Sequence, residues 1–445
     1  MANLLLAACL AGALLVPRNA HAVRPAFVYI NANPDHASNV VSAVRTDNDG
    51  QSRAIPGSPY VTGGTGLTPS TGAEFAHRIE VSRSRNLLYA GNDGSGSIAA
   101  FTINPLNGAL TPVPGSPFTV DGWSAFSGIS LAISNDGRFL YASGTTVVSF
   151  LIEANGALTA VGSEWVFGQR VGGVGVAGDN SRLFLSIPSG VFILDTGEAG
   201  LTADAPDFLS IGSAATDLRL DTPGQRLWVG TKNSGILAYD VSTGAMNIVA
   251  GSPFLSHVSN LSGLSADYYG RTLFAYSNTG PRLLGAHTNA DGSLLLGAGS
   301  PLTPALVSTG GALAPDGRLL FLSDALGQLD AWSTADDGGL THASGYPVTV
   351  SSAHGFSSVA TFPDKNPTPA PGTPRGFALA LAAALALIGL RLTPRRRSPT
   401  VGPQSDSGSG SRRISGDAFL VRGGVVGSVS RRLRLFRRRL AGAAR

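Results

Sequence analysis

From about Arg24 to Pro363 the chain alternates short apolar runs with turns rich in glycine, asparagine and aspartate. Such a pattern reads as many short strands rather than helices. One phrase, a turn leading into an apolar strand, recurs as Asp136-Gly137-Arg138-Phe139-Leu140-Tyr141, Asn180-Ser181-Arg182-Leu183-Phe184-Leu185, Gly224-Gln225-Arg226-Leu227-Trp228-Val229, Gly270-Arg271-Thr272-Leu273-Phe274 and Asp316-Gly317-Arg318-Leu319-Leu320-Phe321. Hairpin turns ending at Gly50, Gly108, Gly156, Gly200, Gly244, Gly292 and Gly339 are spaced by 58, 48, 44, 44, 48 and 47 residues. A third phrase, Gly57-Ser58-Pro59-Tyr60, returns as Gly115-Ser116-Pro117-Phe118 and Gly251-Ser252-Pro253-Phe254, with weaker copies at Gly299-Ser300-Pro301 and Gly345-Tyr346-Pro347. All three keep one register. A period of this length holds four short strands and their turns, which is one propeller blade, and seven turns predict an all-β, seven-bladed β-propeller of four-stranded blades over residues 24–363.

Blade 3 illustrates the reading. Ile129 to Ile133 is its innermost strand, Phe139 to Ala142 the second, Val147 to Ile152 the third and Ala157 to Val161 the outer edge, with Asn155-Gly156 supplying the positive φ that the hairpin requires. Proline has no N–H to donate, so Gly-Ser-Pro is expected where the chain leaves the edge strand for the next blade. The first blade opens directly on Phe27-Val28-Tyr29-Ile30, a second-strand pattern with no innermost strand before it. Ser357 to Phe362 has the missing pattern, so the C-terminal end of the repeat region is expected to pair with residues 27–30 and close the ring.

These phrases make residues 27–362 resemble the seven-bladed lactonase family typified by bacterial 6-phosphogluconolactonase, and more loosely surface propellers with a Tyr-Val-Thr-Asn signature. The resemblance is carried by Gly-x-Leu hairpins such as Gly108-Ala109-Leu110-Thr111, the Gly-Ser-Pro-Phe segments and the Asp-Gly-Arg-Phe-Leu-Tyr strand openings. It implies hydrolysis of a sugar-type lactone. Where such enzymes carry Pro-Arg-His before an innermost strand, this chain has Ala76-His77-Arg78, a shifted match.

Composition supports the all-β reading and adds a polarity along the chain. There are 58 glycines and 27 prolines, and only 13% of residues are charged. The net charge of +4 hides an asymmetry, because the fourteen arginines from Arg391 onward face only Asp406 and Asp417. The remaining residues carry 18 basic against 26 acidic side chains, which argues against nucleic acid as a partner of the propeller. Residues 1–22 read as a signal peptide, with an apolar run from Leu4 to Val16 and Ala20-His21-Ala22 as the cleavage site. Export to the periplasm or cell surface is therefore expected. It also removes Cys9, the single cysteine.

Residues 364–375 form a Pro-rich linker and 376–393 an apolar segment, predicted to be a transmembrane or sorting helix; residues 394–445 are an Arg-rich tail. The fifteen apolar residues from Gly376 to Leu390 would reach ~23 Å as a helix against a hydrocarbon core of ~30 Å, so a full crossing needs the flanking residues as well. Linker, helix and basic cluster together resemble C-terminal sorting tags of bacterial surface proteins.

Few chemical motifs stand out. Gly173-Val174-Gly175-Val176-Ala177-Gly178 fits a dinucleotide-binding pattern but lies on an innermost strand with no following helix, so its glycines are expected to let strands crowd the axis. Asp47-Asn48-Asp49-Gly50 begins like a calcium loop yet lacks the later carboxylate, and is read as a hairpin turn. No nucleophile elbow or pair of histidines at ligand spacing is present, and neither metal nor cofactor is called for. The candidate site is the channel mouth ringed by loops that lead into the innermost strands. His77 and Arg78 are its candidate catalytic pair, a base to activate water beside a cation for the carbonyl oxygen. Arg170, Asp217, His257 and His354 are the candidate ligand-binding residues. The partner is then a small-molecule lactone and the protein a monomer; the alternative is a non-catalytic propeller binding a ligand or protein of the cell envelope.

Overall fold

The computed structural model describes residues 26–363, apart from 48–50, 68–76, 121–122, 124–127, 222, 244, 257–259, 278–281, 352–354 and 356. The predicted leader (1–22), linker (364–375), helix (376–393) and tail (394–445) lie outside the described residues. Among the described residues there is no helix long and apolar enough to cross a membrane.

The strands assemble into seven antiparallel sheets, and the molecule is a seven-bladed β-propeller. Blade 3 consists of Ser130–Ile133, Phe139–Ser143, Thr146–Ile152 and Leu158–Val166 from axis to rim, within a few residues of the expected bounds. The second strand of each blade is buried on both faces. Residues of Ala26–Asn31, for example, are all buried, and alternate residues serve different neighbours. Phe27 and Tyr29 pack with Leu88 and Phe101 of blade 2, while Val28 and Ile30 pack with Phe321 and Leu329 of blade 7. Period-2 alternation thus divides each strand between two cores. Seven such clusters occupy the seven spaces between adjacent blades.

Ring closure follows the expected route. Ser358–Pro363 pairs antiparallel with Ala26–Asn31, Phe27 opposite Phe362, and becomes the innermost strand of blade 1. The two phenylalanine rings stack with centroids 6.5 Å apart. Phe362 is fully buried.

The Gly-Ser-Pro segments take a different position from the expected one. They do not end the outer strand but split it: in blade 1, Ser52–Ala54 and Tyr60–Thr65 flank Gly57-Ser58-Pro59, and both pair with Ser38–Thr46. Blade 2 does the same with Leu110–Pro112 and Phe118–Thr119 against Ser97–Ile103. The reason is a hydroxyl substitution in the ladder. Ser58, Ser116, Ser252 and Ser300 Oγ accept the N–H of Ala43, Ala100, Ala238 and Gly285 at 2.8, 2.9, 2.9 and 3.0 Å, satisfying donors of the third strand where the outer strand is interrupted.

Candidate functional site

The innermost strands approach closely at their N-terminal ends and leave room at their C-terminal ends. A Cβ on Gly172 would lie 2.2 Å from the Thr216 carbonyl oxygen, and one on Gly310 would lie 2.5 Å from that of Ser357. Ser130 Oγ donates to the Gly172 carbonyl at 2.8 Å across the same crowded region. Gly173 and Gly178, of the glycine-rich phrase, leave no space for a Cβ either, since the Leu218 backbone nitrogen and the Pro223 carbonyl oxygen would be 2.4 and 2.0 Å away. Its glycines serve close strand approach.

A cavity of about 530 Å³ opens toward the other end. His77 lines it, along with residues at the C-terminal ends of the innermost strands and the turns beyond them. It therefore extends away from the loops expected to frame the site. Of the segments expected to frame that site, 68–76, 124–127, 257–259 and 352–354 lie outside the described residues, and the candidates His257 and His354 with them.

His77 and Arg78, adjacent in the turn that leads into the strand Ile79–Ser82, part company in space. Arg78 turns away from the axis and is fully buried, its Nε 2.6 Å from Asp93 Oδ2. Asp93 also accepts from Asn33 Nδ2 at 3.0 Å and from the Ile129 N–H of blade 3 at 2.9 Å, so the ion pair ties three blades together. Burial lowers the Arg78 pKa, Asp93 raises it and the nearby charge of Arg170 lowers it again, leaving it at about 10. It stays charged at neutral pH and holds structure. Arg170 is half-buried beside it and does not line the cavity. Asp93→Ala, which strands a buried guanidinium, is expected to cost ~3–5 kcal/mol in chemical denaturation, and adding Arg78→Met should recover much of the loss.

Asp217, rather than Arg78, is the partner of His77. Its Oδ1 lies 2.7 Å from His77 Nε2, and both side chains are almost wholly buried. Asp217 is held in turn by the Leu218 N–H on Oδ1 at 2.8 Å and by the Leu264 N–H of blade 6 on Oδ2 at 2.7 Å. A bulge between Ala215 and Asp217, with Thr216 as the extra residue, sets this orientation in the inner strand of blade 5 (Ala215–Leu220). Gly173 makes room for it, since a Cβ there would be 2.4 Å from Asp217 Oδ1.

The other ring nitrogen, Nδ1, lies 3.5 Å from Arg219 Nη1 and 4.0 Å from Glu80 Oε1. Arg219, Glu80 and Arg83 all line the cavity. In the neutral ring, Nε2–H donates to Asp217 and Nδ1 is the acceptor facing Arg219; a second proton on Nδ1 would face Glu80. Burial disfavours the charged imidazolium, but the charge and hydrogen bond of Asp217, helped by Glu80, outweigh burial and the repulsion of Arg219. The His77 pKa therefore lies above its ordinary value of 6.5. For Arg83 the direction is the reverse: shielding from bulk water lowers its pKa, Glu80 counters, and Arg219 lowers it further.

Of the six expected residues, then, the structure brings His77 and Asp217 together and sets Arg78 and Arg170 apart from them. Sequence reading missed Arg219, Glu80 and Arg83. Arg219 carried a signal, because it sits two residues after Asp217 on a strand type otherwise dominated by glycine, serine, alanine and leucine. Among the described residues no group of histidine, cysteine and carboxylate side chains has a metal-holding arrangement.

No model of a protein family matches the chain, and no curated protein is similar to it in sequence. Among solved structures the propeller is similar to a Bacteroides fragilis protein assigned provisionally as a 6-phosphogluconolactonase, with 13% identity, 78% of this chain and 99% of that chain covered, and a TM-score of 0.61. It is also similar to the periplasmic gluconolactonase of Pseudomonas aeruginosa, at 16% identity, 76% and 99% coverage and a TM-score of 0.55. A Lactobacillus plantarum protein gives 16% identity, 76% and 100% coverage and the same TM-score of 0.55. Likeness at these identities establishes the fold, with activity to be argued from the site.

Proposed function

We propose that the protein hydrolyses a lactone in the axial cavity, with His77 as general base. The observation that carries this reading is the Asp217–His77 hydrogen bond of 2.7 Å, which directs the opposite ring nitrogen toward an arginine in a cavity. A carboxylate on one imidazole nitrogen fixes the tautomer and supports the imidazolium that forms when the other nitrogen takes a proton. His77 Nδ1 removes a proton from water as the water oxygen bonds to the lactone carbonyl carbon. Arg219 offsets the charge that develops on the carbonyl oxygen. Collapse of the tetrahedral intermediate breaks the ring C–O bond, the His77 proton passes to the departing alkoxide, and lactone plus water has become a hydroxy acid.

The lining carries Arg83, Arg219 and Arg271 against Glu80, Asp221, Asp267 and Asp316, a near balance of charge that selects neither a neutral nor an anionic lactone. The likeness to structures named for sugar-lactone hydrolysis supports the sugar-lactone class, and one of them is named as periplasmic. With the leader read from the sequence, that supports an exported enzyme acting outside the cytoplasm, where a phosphorylated cytoplasmic metabolite would not be the substrate. The test is turnover of a panel of neutral and acidic sugar lactones by the purified full chain, followed by proton release. Hydrolysis of at least one member well above the spontaneous rate is the expected result. A panel left untouched would replace this reading with that of a ligand-binding propeller of the cell envelope.

A further inference from the structure

The turns that leave the innermost strands share one construction. Gly137, Asn180, Gly224, Gly270 and Gly317 each donate the backbone N–H to the carbonyl three residues earlier, at 2.8, 2.9, 2.9, 3.0 and 2.8 Å. The two central residues are Asn135-Asp136, Gly178-Asp179 and Pro315-Asp316 in blades 3, 4 and 7, and Pro223 is the described one in blade 5, all small or turn-forming types. In blade 6 they are Tyr268-Tyr269. Nothing in the turn asks for them: Asp267 already caps it by accepting the N–H groups of Arg271 and Thr272. The tyrosines are 55% and 63% exposed, and both line the mouth of the cavity. Their rings meet edge to face with centroids 5.0 Å apart, and the Arg271 guanidinium lies 5.3 Å from the Tyr269 ring centre. Arg271 is itself anchored by Asp267 at 3.0 Å. The pair is thus a braced aromatic surface at a position where four other blades place turn residues.

We propose that Tyr268 and Tyr269 form a stacking subsite for a second sugar ring, so that the substrate is a saccharide lactone of at least two rings; this rests on the reading of the cavity as the site of lactone hydrolysis. Size is one support. A single hexonolactone has roughly a dozen non-hydrogen atoms, which at a generous ~30 Å³ each fill about 360 Å³. The cavity, about 530 Å³, would remain part-empty. Chemistry is the other. The C–H face of a pyranose is complementary to the negative face of an aromatic ring, while its hydroxyls can engage Asn135, Asp316 and Arg271, which border the same mouth. A purely aromatic ligand would strip water from those groups and return no hydrogen bonds.

Binding of hydrolysis products provides the test without requiring turnover. Titration calorimetry on the full chain would compare gluconate, cellobionate as the two-ring product, and 3-(2-hydroxyphenyl)propionate as an aromatic hydroxy acid. Cellobionate is expected to bind about tenfold more tightly than gluconate, on the scale of two aromatic contacts. Tyr268→Ala/Tyr269→Ala should abolish that preference with gluconate affinity and melting temperature unchanged, and Tyr268→Phe/Tyr269→Phe should keep it. A parent protein that binds cellobionate no better than gluconate, including one that binds neither, overturns the proposal. So does retention of the preference in the double-alanine variant, or tighter binding of the aromatic acid. If no lactone is turned over but the tyrosine-dependent preference is found, the hydrolase reading fails and the saccharide subsite stands.

Discussion

Replacement of His77 by alanine is expected to lower kcat/KM for the preferred lactone by ~10²- to 10⁴-fold, the usual cost of losing a general base. The residue is buried against Asp217 and touches the cavity through one edge, so the change removes the base without altering the arginines that would hold the substrate. KM should therefore move less than kcat. A pH profile separates this role from a merely structural one. The base works in its neutral form, so the rate must climb as pH rises through the pKa of His77, which the Asp217 charge places above 6.5. Asp217→Asn removes the largest of the influences that raise it and leaves burial, which lowers it. The variant's profile is then expected to rise at lower pH than the parent's, toward a lower plateau. An unshifted profile in Asp217→Asn, or a His77→Ala variant as fast as the parent, would show that the dyad does not carry the reaction.

A chain ended at Ala353 is expected to lose far more stability than one ended at Asp364, although the two differ by only a short segment. That segment contains Ser358–Pro363, paired along its length with Ala26–Asn31. Its loss uncovers Phe27 on one face and Val28 on the other, each packed in a different inter-blade core. Burial of Phe362 and Val359 is worth ~1.5–3 kcal/mol each, and the newly exposed strand edge adds unpaired backbone groups. A total of about 5 kcal/mol or more compares with the ~5–15 kcal/mol of a typical domain. It should lower the melting temperature by roughly 10 °C or more, measured by circular dichroism. Equal melting temperatures for the two truncations would mean that the ring is closed by something other than this strand.

How much of the molecule was legible beforehand follows from where its constraints are local. Every blade must turn its hairpins with residues of positive φ, so Gly108, Gly156, Gly200 and Gly292 recur at blade spacing, and blade number and strand order can be counted from them. Ring closure was legible for the same reason, since Phe27 to Ile30 lacked a preceding partner and Ser357 to Phe362 lacked a following one. The Gly-Ser-Pro phrase was recognised as a repeat but misplaced, because only the paired strands reveal that a serine hydroxyl takes over a ladder position.

The site was less legible. His77 and Asp217 were both candidates, yet the sequence paired His77 with its neighbour Arg78, whereas the chain brings it to a residue 140 positions away. That meeting uses the space left by Gly173, part of a glycine-rich phrase visible in the sequence, but it depends on the angle between blades 2 and 5 around the axis and on the bulge at Thr216, neither of which has a signature in the string of residues. The sequence by itself determined the repeat, the blade count and the closing strand, because turns and period-2 burial are short-range. Only the tertiary structure decided which polar side chains share the axis and toward which end the cavity opens, because those depend on how seven sheets converge.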